Sequence, residues 1–307
     1  MVKLSQCMIV KDEEKNIEQA LAWAKPIAYE QIVVDTGSTD KTVEIAEKMG
    51  AKIYHFKWIK DFAAAKNYAI EQATGNWIAF LDADEYFIPE DAAELIKILE
   101  KAEKVSKQGK IVGSIKTPWV HFDDKDEVMY ISEQTRLFRN VKELRYVGKI
   151  HEHITTYGKE IYNGDIKIMH TGYADSVQKD KGKYERNVDI LRTELKADPN
   201  SITLKMYLVD SLHAKAASEN YSNEKELAEV EKLYREVLES KKGVGDFFKK
   251  KAYFYFMRKT GEDPGKRKEC LKVCEEAYNA FPNDLDICYN YAGLLNEMKE
   301  LRKHWKY

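Results

Sequence analysis

The chain has 307 residues, of which 44% are hydrophobic and 33% are charged, and its formal net charge is -2 with an isoelectric point near 6.4. This balance is typical of a folded protein with a sizeable core and room for two domains, and the weak charge excludes a general affinity for nucleic acid. No apolar run approaches the roughly 20 residues that a membrane-spanning helix needs, and the N-terminus becomes acidic too soon for a signal peptide.

The first 105 residues alternate between predicted strands and predicted helices. The strands are Leu4–Val10, Gln31–Asp35, Ala51–Trp58 and Trp77–Leu81. The helices run from Ile17 to Ala24, from a cap at Ser38 or Thr39 to Gly50, over Asp61–Ala73, and from Pro89 to about Val105. Such alternation predicts right-handed crossovers and an α/β, doubly wound, mostly parallel sheet.

From Lys110 to Tyr173 the pattern changes to alternating apolar and polar residues. The segments that show it are Ile111–Val120, Val128–Phe138, Leu144–Ile154 and Glu160–His170. They predict an antiparallel addition to the sheet, with one long hairpin. Because side chains two residues apart share a face of a strand, His170 is expected to continue a buried row with Ile168.

From about Ser176 onward the sequence is helical in pattern and rich in lysine and glutamate. The segment around Asp198-Pro199-Asn200 resembles the one around Phe281-Pro282-Asn283. Weak self-similarity of this kind predicts a short all-α array of helical repeats. We therefore predict two domains, residues 1–174 and residues 175–307.

Polar side chains follow three of the predicted parallel strands, at the edge where this fold class binds ligands. Glu13 follows the first strand, Asp35 the second, and Asp82 and Asp84 the fourth. Two carboxylates at spacing i, i+2 leave the end of a strand together and suit a divalent cation that keeps positions open for phosphates. The alternative is a solvated turn after a buried strand.

Three further residues are candidates for chemistry. Lys66, on the helix before the acidic strand, could meet phosphate or pair with Asp82, although an exposed helical lysine is the simpler reading. Glu152 could act as general base toward an acceptor hydroxyl or thiol, unless its segment is an ordinary surface strand. His170 could complete a metal shell beside Asp84, or be a structural hydrogen-bonder. Since Gly-x-Gly-x-x-Gly and P-loop motifs are missing, a metal must neutralise much of any phosphate charge.

The four cysteines are expected to be reduced. Cys270 and Cys274 could begin a metal site with Cys288, but no fourth ligand has suitable spacing. Reduced core thiols predict a reducing, cytoplasmic compartment.

Four segments, by their order and spacing, resemble glycosyltransferase family 2. They are Cys7-Met8-Ile9-Val10-Lys11-Asp12-Glu13-Glu14, Val33-Val34-Asp35-Thr36-Gly37-Ser38-Thr39-Asp40-Lys41-Thr42, Asp61-Phe62-Ala63-Ala64-Ala65-Lys66-Asn67 and Leu81-Asp82-Ala83-Asp84-Glu85. The resemblance covers about residues 1–173, and the helices that follow look like the tetratricopeptide-type tail of many bacterial members. It implies a GT-A fold and an inverting transfer from a UDP-sugar with Mn²⁺ or Mg²⁺.

The resemblance also implies roles for individual residues. Asp35 would hold uracil or ribose, Asp82 would meet ribose or metal, and Asp84 would ligate the metal. Glu152, in Gly148-Lys149-Ile150-His151-Glu152, would lie near the acceptor and His170 near the metal. The remaining nucleotide-sugar contacts would be Ile9, Val10, Lys11, Glu13, Lys66 and Ala83.

The resulting hypothesis is an enzyme that moves GlcNAc or glucose from a UDP-sugar to a protein or peptide side chain, such as a flagellin Ser or Thr. The helical tail would present a concave surface to that acceptor. One alternative is a glycosyltransferase that acts on a cell-envelope glycan or on a lipid-linked acceptor. A sugar nucleotidyltransferase is a second, but its Gly-rich, Arg-containing N-terminal loop is missing. A third alternative is a non-catalytic helical-repeat adaptor. The presence of Asp82, Asp84 and Glu152 argues against it.

Overall fold

A computed structural model of the chain describes residues 1–123, 125, 127–171, 181–219, 221–240 and 244–304. It separates into two compact units, residues 1–183 and 184–307. The predicted domain boundary between residues 174 and 175 lies outside the described residues, as does the expected helical start near Ser176. No helix in the described ranges is long and apolar enough to cross a membrane.

The first unit contains the strands β1 to β11. Their bounds are Leu4–Val10, Glu30–Asp35, Lys52–His55, Trp77–Phe80, Glu85–Phe87, Val112–Phe122, Val128–Arg139, Tyr146–Val147, His153–Ile154, Lys159–Tyr162 and Ile168–His170. Its helices α1 to α4 are Ile17–Ala22, Thr42–Lys48, Phe62–Glu71 and Pro89–Lys107.

Nine of these strands form one sheet in the order β3-β2-β1-β4-β7-β6-β11-β5, with β10 beside β6. Strands β3, β2, β1 and β4 are parallel neighbours, and β7 enters antiparallel between β4 and β6. The predicted α/β sheet with an antiparallel addition and a long hairpin is confirmed.

The two faces of the sheet bury alternate residues of the same strands. On one face, Met8 and Val10 pack in a cluster with apolar residues of α1 and α2. On the other, Cys7 packs with Phe80 and Ile70, which belongs to α3. Because successive strand residues point to opposite faces, the apolar run of β1 covers both sides of the sheet, as a doubly wound fold requires.

Several predicted elements differ from the observed ones. Helix α2 begins at Thr42 rather than at Ser38 or Thr39, and its preceding residue makes no side-chain cap. The segment Leu144–Ile154 is a short hairpin of β8 and β9, not one strand. Both β10 and β11 run parallel to β6 rather than antiparallel: β10 pairs with its first half, up to Lys116, and β11 pairs with its second half, from Trp119 to His121. The expected burial of His170 is confirmed: it is 7% exposed.

The described part of the second unit is helical, as predicted. Helices α5 to α10 are Lys181–Ala197, Ile202–Ser218, Glu224–Glu239, Asp246–Gly261, Arg267–Ala280 and Leu285–His304, and α5 begins three residues before the second unit. Consecutive helices from α6 to α10 pack on one another. The two proline-containing segments that resemble each other connect α5 to α6 and α9 to α10. Cys270 and Cys274 are buried free thiols that pack with Met257 and Ala277.

Candidate active site

The loops after β1 and β2 are tied together at the carboxyl edge of the sheet. The Asp12 amide donates to Ser38 Oγ at 2.9 Å, and the Thr39 amide donates to Asp12 Oδ1 at 2.7 Å. Asp12 has a φ of 56°, a left-handed conformation that aspartate tolerates better than most residues. Ser38 and Thr39 therefore join two loops instead of capping a helix, and they hold the rim of the candidate site.

Asp35, at the end of β2, is 6% exposed. Its Oδ2 accepts the Gly37 amide at 3.1 Å and its Oδ1 accepts the Ser38 amide at 2.9 Å. Burial raises the pKa of Asp35, but the hydrogen bonds from Ser38 and Gly37 outweigh burial and lower it below its ordinary value. An ionised acceptor is thus held at the edge of the sheet, where a ribose or base could donate to it.

Asp82 belongs to a network of two cations and two carboxylates. Its Oδ2 lies 2.7 Å from Arg136 Nη2 and its Oδ1 lies 3.1 Å from Lys66 Nζ. The same guanidinium reaches Glu85 Oε1 at 2.6 Å, and Glu85 Oε2 accepts the Asp82 amide at 3.0 Å. Burial raises the pKa of Asp82, but Arg136 and Lys66 outweigh it and hold that pKa well below its ordinary value.

Lys66 joins the Asp82 network to a second loop. Its ammonium nitrogen lies 2.7 Å from Glu152 Oε1 and 5.2 Å from the ring centroids of Phe80 and Tyr146. Burial lowers the pKa of Lys66, but Asp82 and Glu152 raise it above its ordinary value, so the side chain is a buried ammonium ion. The sequence-based alternative of an exposed helical lysine is wrong, since Lys66 is 2% exposed.

Glu152 reaches Lys66 because its loop is not extended. Gly148 and His151 have φ angles of 91° and 51°, which turn the chain twice between β8 and β9. The carbonyl of Lys149 accepts the Phe62 amide at 2.9 Å and fixes the loop to the start of α3. The alternative of an ordinary surface strand is therefore wrong for this segment, and Glu152 is placed by the turns instead.

His170 joins Asp84 to a row of polar side chains. Its Nε2 lies 3.4 Å from Asp84 Oδ2, and its Nδ1 lies 2.9 Å from Nδ1 of His121. His121 Nε2 lies 3.0 Å from Ser132 Oγ, and the His121 ring stacks on Tyr130 at 4.1 Å between centroids. Burial, with His170 beside it, lowers the pKa of His121 to about 4. His170 thus lies beside Asp84, as expected.

Glu13 is a half-buried acid on the same edge. Its Oε2 accepts the Asn16 side-chain amide at 2.8 Å. Burial raises its pKa to about 7, opposed by Asn16 and reinforced by the charges of Asp84 and Asp82. Negative charge is therefore crowded here, which suits a site that takes a cation.

The donor set around Asp84 fits a divalent cation that keeps most of its coordination for a ligand. Among the described residues no group of three or more His, Cys, Asp or Glu side chains could hold a metal by itself. Asp84 and His170 would supply one oxygen and one nitrogen, a mixture that suits Mn²⁺ better than Mg²⁺. Both oxygens of Asp82 are already engaged with Arg136 and Lys66. Diphosphate oxygens and water would have to provide the remaining ligands.

The other expected contacts differ in how accessible their side chains are. Val10 and Ala83 are 3% and 6% exposed and pack in the core, so little of either residue is accessible to a ligand. Ile9 is half-buried and Lys11 is exposed. Sequence reasoning assigned no role to Arg136, which sits on β7 at 7% exposure, far along the chain from Asp82.

Glu85 and His121 also belong to this site and had no predicted role. Glu85 was visible as the third acid of the run that begins at Asp82, and its 1% exposure shows that it is part of the core. His121 lies opposite His170 in the pairing of β6 with β11. That register is not readable from a single sequence.

Comparisons with known proteins identify the family of the chain. The profile of the family described as "Glycosyl transferase family 2" matches residues 5–163. A TPR repeat-containing protein of Synechococcus elongatus is 36% identical over 66% of this chain and 51% of its own length. The SPbeta prophage-derived glycosyltransferase SunS of Bacillus subtilis is 29% identical over 67% of this chain and 48% of its own length. The chain thus spans about half the length of these curated relatives.

Among solved structures, residues 1–349 of TarS from S. aureus match 97% of this chain and 91% of theirs. The sequence identity is 14% and the TM-score is 0.43.

Proposed function

Since the chain belongs to glycosyl transferase family 2, we propose that it transfers a sugar from a UDP-linked donor to a polypeptide acceptor with inversion. The observation that carries this proposal is the position of Lys66 Nζ, 3.1 Å from Asp82 and 2.7 Å from Glu152. One carboxylate stands at the carboxyl edge of the sheet and the other on a separate loop. The acid proposed for the donor and the acid proposed for the acceptor share Lys66, and this proximity supports a single displacement between two substrates.

On the donor side, Asp35 would accept hydrogen bonds from uracil or ribose. Asp82, whose carboxylate is held by Arg136 and Lys66, would meet the ribose rather than a metal. Asp84 and His170 would hold Mn²⁺ or Mg²⁺. When bound, such a cation neutralises the negative charge that develops on the departing diphosphate.

On the acceptor side, Glu152 would be the general base. Its carboxylate is 14% exposed and is held in place by Lys66. As the acceptor oxygen or sulfur bonds to the anomeric carbon, its proton passes to Glu152 and the bond to UDP breaks with its electron pair on the diphosphate. Lys66 then balances the diphosphate charge next to the newly protonated acid.

A polypeptide acceptor is supported by the open edge of β7. That strand pairs with β4 only at Leu137–Arg139, and no other strand of the described ranges pairs with residues 128–135 on that side. Val128, Met129 and Ile131 are 55%, 54% and 60% exposed. Such an edge suits another extended chain, because a strand can pair with its whole row of backbone donors and acceptors.

The direction of the backbone groups on β7 follows from Pro118. This residue has no N–H and lies opposite Glu133, so their pair is not hydrogen-bonded and Glu133 turns its backbone groups away from β6. By the two-residue period Ile131 and Thr135 do the same. The Thr135 amide indeed donates to Gln134 Oε1 at 3.1 Å rather than to a neighbouring strand.

The edge also adjoins the candidate site. Tyr130, within the same exposed run, stacks on His121, which contacts His170 beside Asp84. An acceptor strand laid along residues 128–135 would approach the cation end of the donor site. We further propose a reducing compartment such as the cytoplasm, supported by the four free cysteines.

The proposal is tested by incubating the protein with UDP-GlcNAc or UDP-glucose, Mn²⁺ and unstructured peptides that contain Ser, Thr, Cys and Asn. We expect Glu152→Gln to lower the rate of transfer at least about 100-fold while UDP binding is kept. Asp84→Asn should lower it at every Mn²⁺ concentration, and Glu100→Gln, an exposed change on α4, should leave it unchanged. Transfer to a glycan lipid and to no peptide would refute the proposed polypeptide acceptor. If the wild type releases UDP from no donor, the alternative of a non-catalytic helical-repeat adaptor would be favoured.

The role of the edge is tested by Ile131→Pro. The change removes an N–H from the open side of β7 and spares the bonds to β6. We expect KM for the peptide to rise about tenfold, the loss of roughly one net hydrogen bond, while hydrolysis of the UDP-sugar alone is unchanged. Equal peptide KM values for the wild type and the variant would refute strand addition.

A further inference from the structure

His121 and His170 form a buried ring-to-ring contact that the reaction itself does not require. The two residues lie side by side at the ends of β6 and β11, in a parallel pair. Their Nδ1 atoms are 2.9 Å apart, a hydrogen-bond distance. Two such nitrogens can share only one proton, so one ring donates and the other accepts.

The described contacts of the two rings are consistent with two arrangements of the protons. In the first, His170 Nε2–H donates to Asp84, His121 Nδ1–H donates to His170, and Ser132 donates to His121. In the second every bond is reversed: His170 Nδ1–H donates to His121, and His121 Nε2–H donates to Ser132 Oγ, 3.0 Å away. Only the second turns a lone pair of His170 Nε2 toward Asp84.

The remaining distance favours the second arrangement. His170 Nε2 and Asp84 Oδ2 are 3.4 Å apart, longer than a normal N–H···O bond to a carboxylate. The other two contacts in the row have ordinary hydrogen-bond lengths. The two side chains facing each other across this gap are the ones proposed above to hold a cation.

We propose that His121 is a positioning residue that accepts the Nδ1 proton of His170 and so presents Nε2 of His170 to a divalent cation at Asp84. Ser132 fixes the complementary tautomer of His121. Metal-binding histidines commonly need such a partner on the second ring nitrogen, and its loss typically weakens metal binding 10–100-fold. The inference rests on the proposed function, because it takes Asp84 and His170 as the ligands.

Packing around His121 supplies a matched pair of variants. The ring is fully buried, stacks on Tyr130 and meets the edge of Trp119 at 4.2 Å between centroids. His121→Phe keeps an aromatic ring in this stack but removes the acceptor. His121→Asn loses the ring and keeps an oxygen acceptor near the position of Nδ1.

The experiment measures the affinity for Mn²⁺, with and without UDP, from the loss of the electron paramagnetic resonance signal of free Mn²⁺. We expect His121→Phe to weaken binding at least tenfold, and His121→Asn to remain within about threefold of the wild type. Ser132→Ala should weaken it a few-fold, and it provides the readout if His121→Phe does not fold. His121→Phe binding like the wild type, or His121→Phe and His121→Asn equally weakened, would overturn the proposal.

Asp84→Asn separates this inference from the proposed function. If Asp84→Asn abolishes Mn²⁺ binding and His121→Phe does not weaken it, only the positioning role fails. If Asp84→Asn binds Mn²⁺ like the wild type, the metal site itself is wrong, and the role of His121 fails with it.

Discussion

Arg136 offers the sharpest test of how the site is held together. Its guanidinium contacts Asp82 at 2.7 Å and Glu85 at 2.6 Å, and Glu85 is 1% exposed. Replacing Arg136 with Met leaves a buried carboxylate without its cation. Breaking a buried ion pair from one side costs about 3–5 kcal/mol, and a Coulomb energy of about 4 kcal/mol at 4 Å with an effective dielectric constant of 20 is of the same size.

The loss should be recovered in part by Glu85→Gln. Glutamine removes the charge but can still accept the Asp82 amide, which Glu85 Oε2 accepts at 3.0 Å. We expect Arg136→Met/Glu85→Gln to be more stable than Arg136→Met by about 2 kcal/mol. Lys48→Met, which removes an exposed ion pair of α2, should cost no more than about 0.5 kcal/mol and is the control.

The pH dependence of Arg136→Met has a definite sign. Burial raises the pKa of Glu85 above its ordinary value even though Arg136 opposes the rise. Without Arg136 that pKa rises further, so the folded variant takes up a proton that the unfolded chain does not. The deficit relative to wild type should therefore shrink as the pH falls from 8 to 5.

Urea denaturation followed by tryptophan fluorescence provides the measurement. Trp23, Trp58, Trp77 and Trp119 lie in the first unit, so four of the five tryptophans report on its unfolding. The electrostatic account fails if Arg136→Met costs less than about 1 kcal/mol. It also fails if the double variant is no more stable than Arg136→Met.

Three further changes test the fold by the same urea assay. Burial raises the pKa of Glu30, but its hydrogen-bond partners, Lys52 foremost, lower it to about 2. The free energy of unfolding of the wild type should exceed that of Glu30→Gln by roughly 2–3 kcal/mol near pH 6, and the difference should disappear as the pH falls from about 4.5 toward 2. A difference that does not change with pH would contradict the ion pair. Gly113→Ala should cost more than about 3 kcal/mol, since its Cβ would lie 1.5 Å from the Tyr157 carbonyl oxygen, and an unchanged midpoint would disprove that approach. Asp61→Ala removes the acceptor of the Ala64 amide at 2.8 Å and should cost about 1 kcal/mol, which Asp61→Ser should restore if capping is the cause.

The alternating strands and helices of the first 105 residues could be predicted from the sequence, because the local hydrophobic pattern and the topology agree there. The prediction for β1, Leu4–Val10, matches the observed strand, since a run of seven mostly apolar residues is too short for a typical helix and suits a buried strand. The same holds for α3, whose cap at Asp61 confirms the expected start. Carboxyl ends of parallel strands share an edge, so the approach of Asp35 and the Asp82 segment could be predicted from order alone.

The rest depended on contacts between distant parts of the chain. Arg136 reaches Asp82 only because β7 enters the sheet beside β4, a pairing that no periodicity encodes. Glu152 is positioned by positive φ angles at Gly148 and His151. Histidine adopts a left-handed conformation more often than most residues, but its presence alone does not predict one. The partnership of His121 with His170 depends on a register set by β6 and β11.

The open side of β7 also has a consequence for the protein in solution. The run Val128-Met129-Tyr130-Ile131 contains neither lysine nor proline, the residues with which natural proteins usually blunt a bare strand. At high protein concentration, two copies of the molecule could therefore pair edge to edge along this strand. If this edge binds the proposed peptide acceptor, the same edge can pair with a second copy of the protein. We then expect turbidity to rise with protein concentration in the absence of peptide and to fall when a bound peptide occupies the strand.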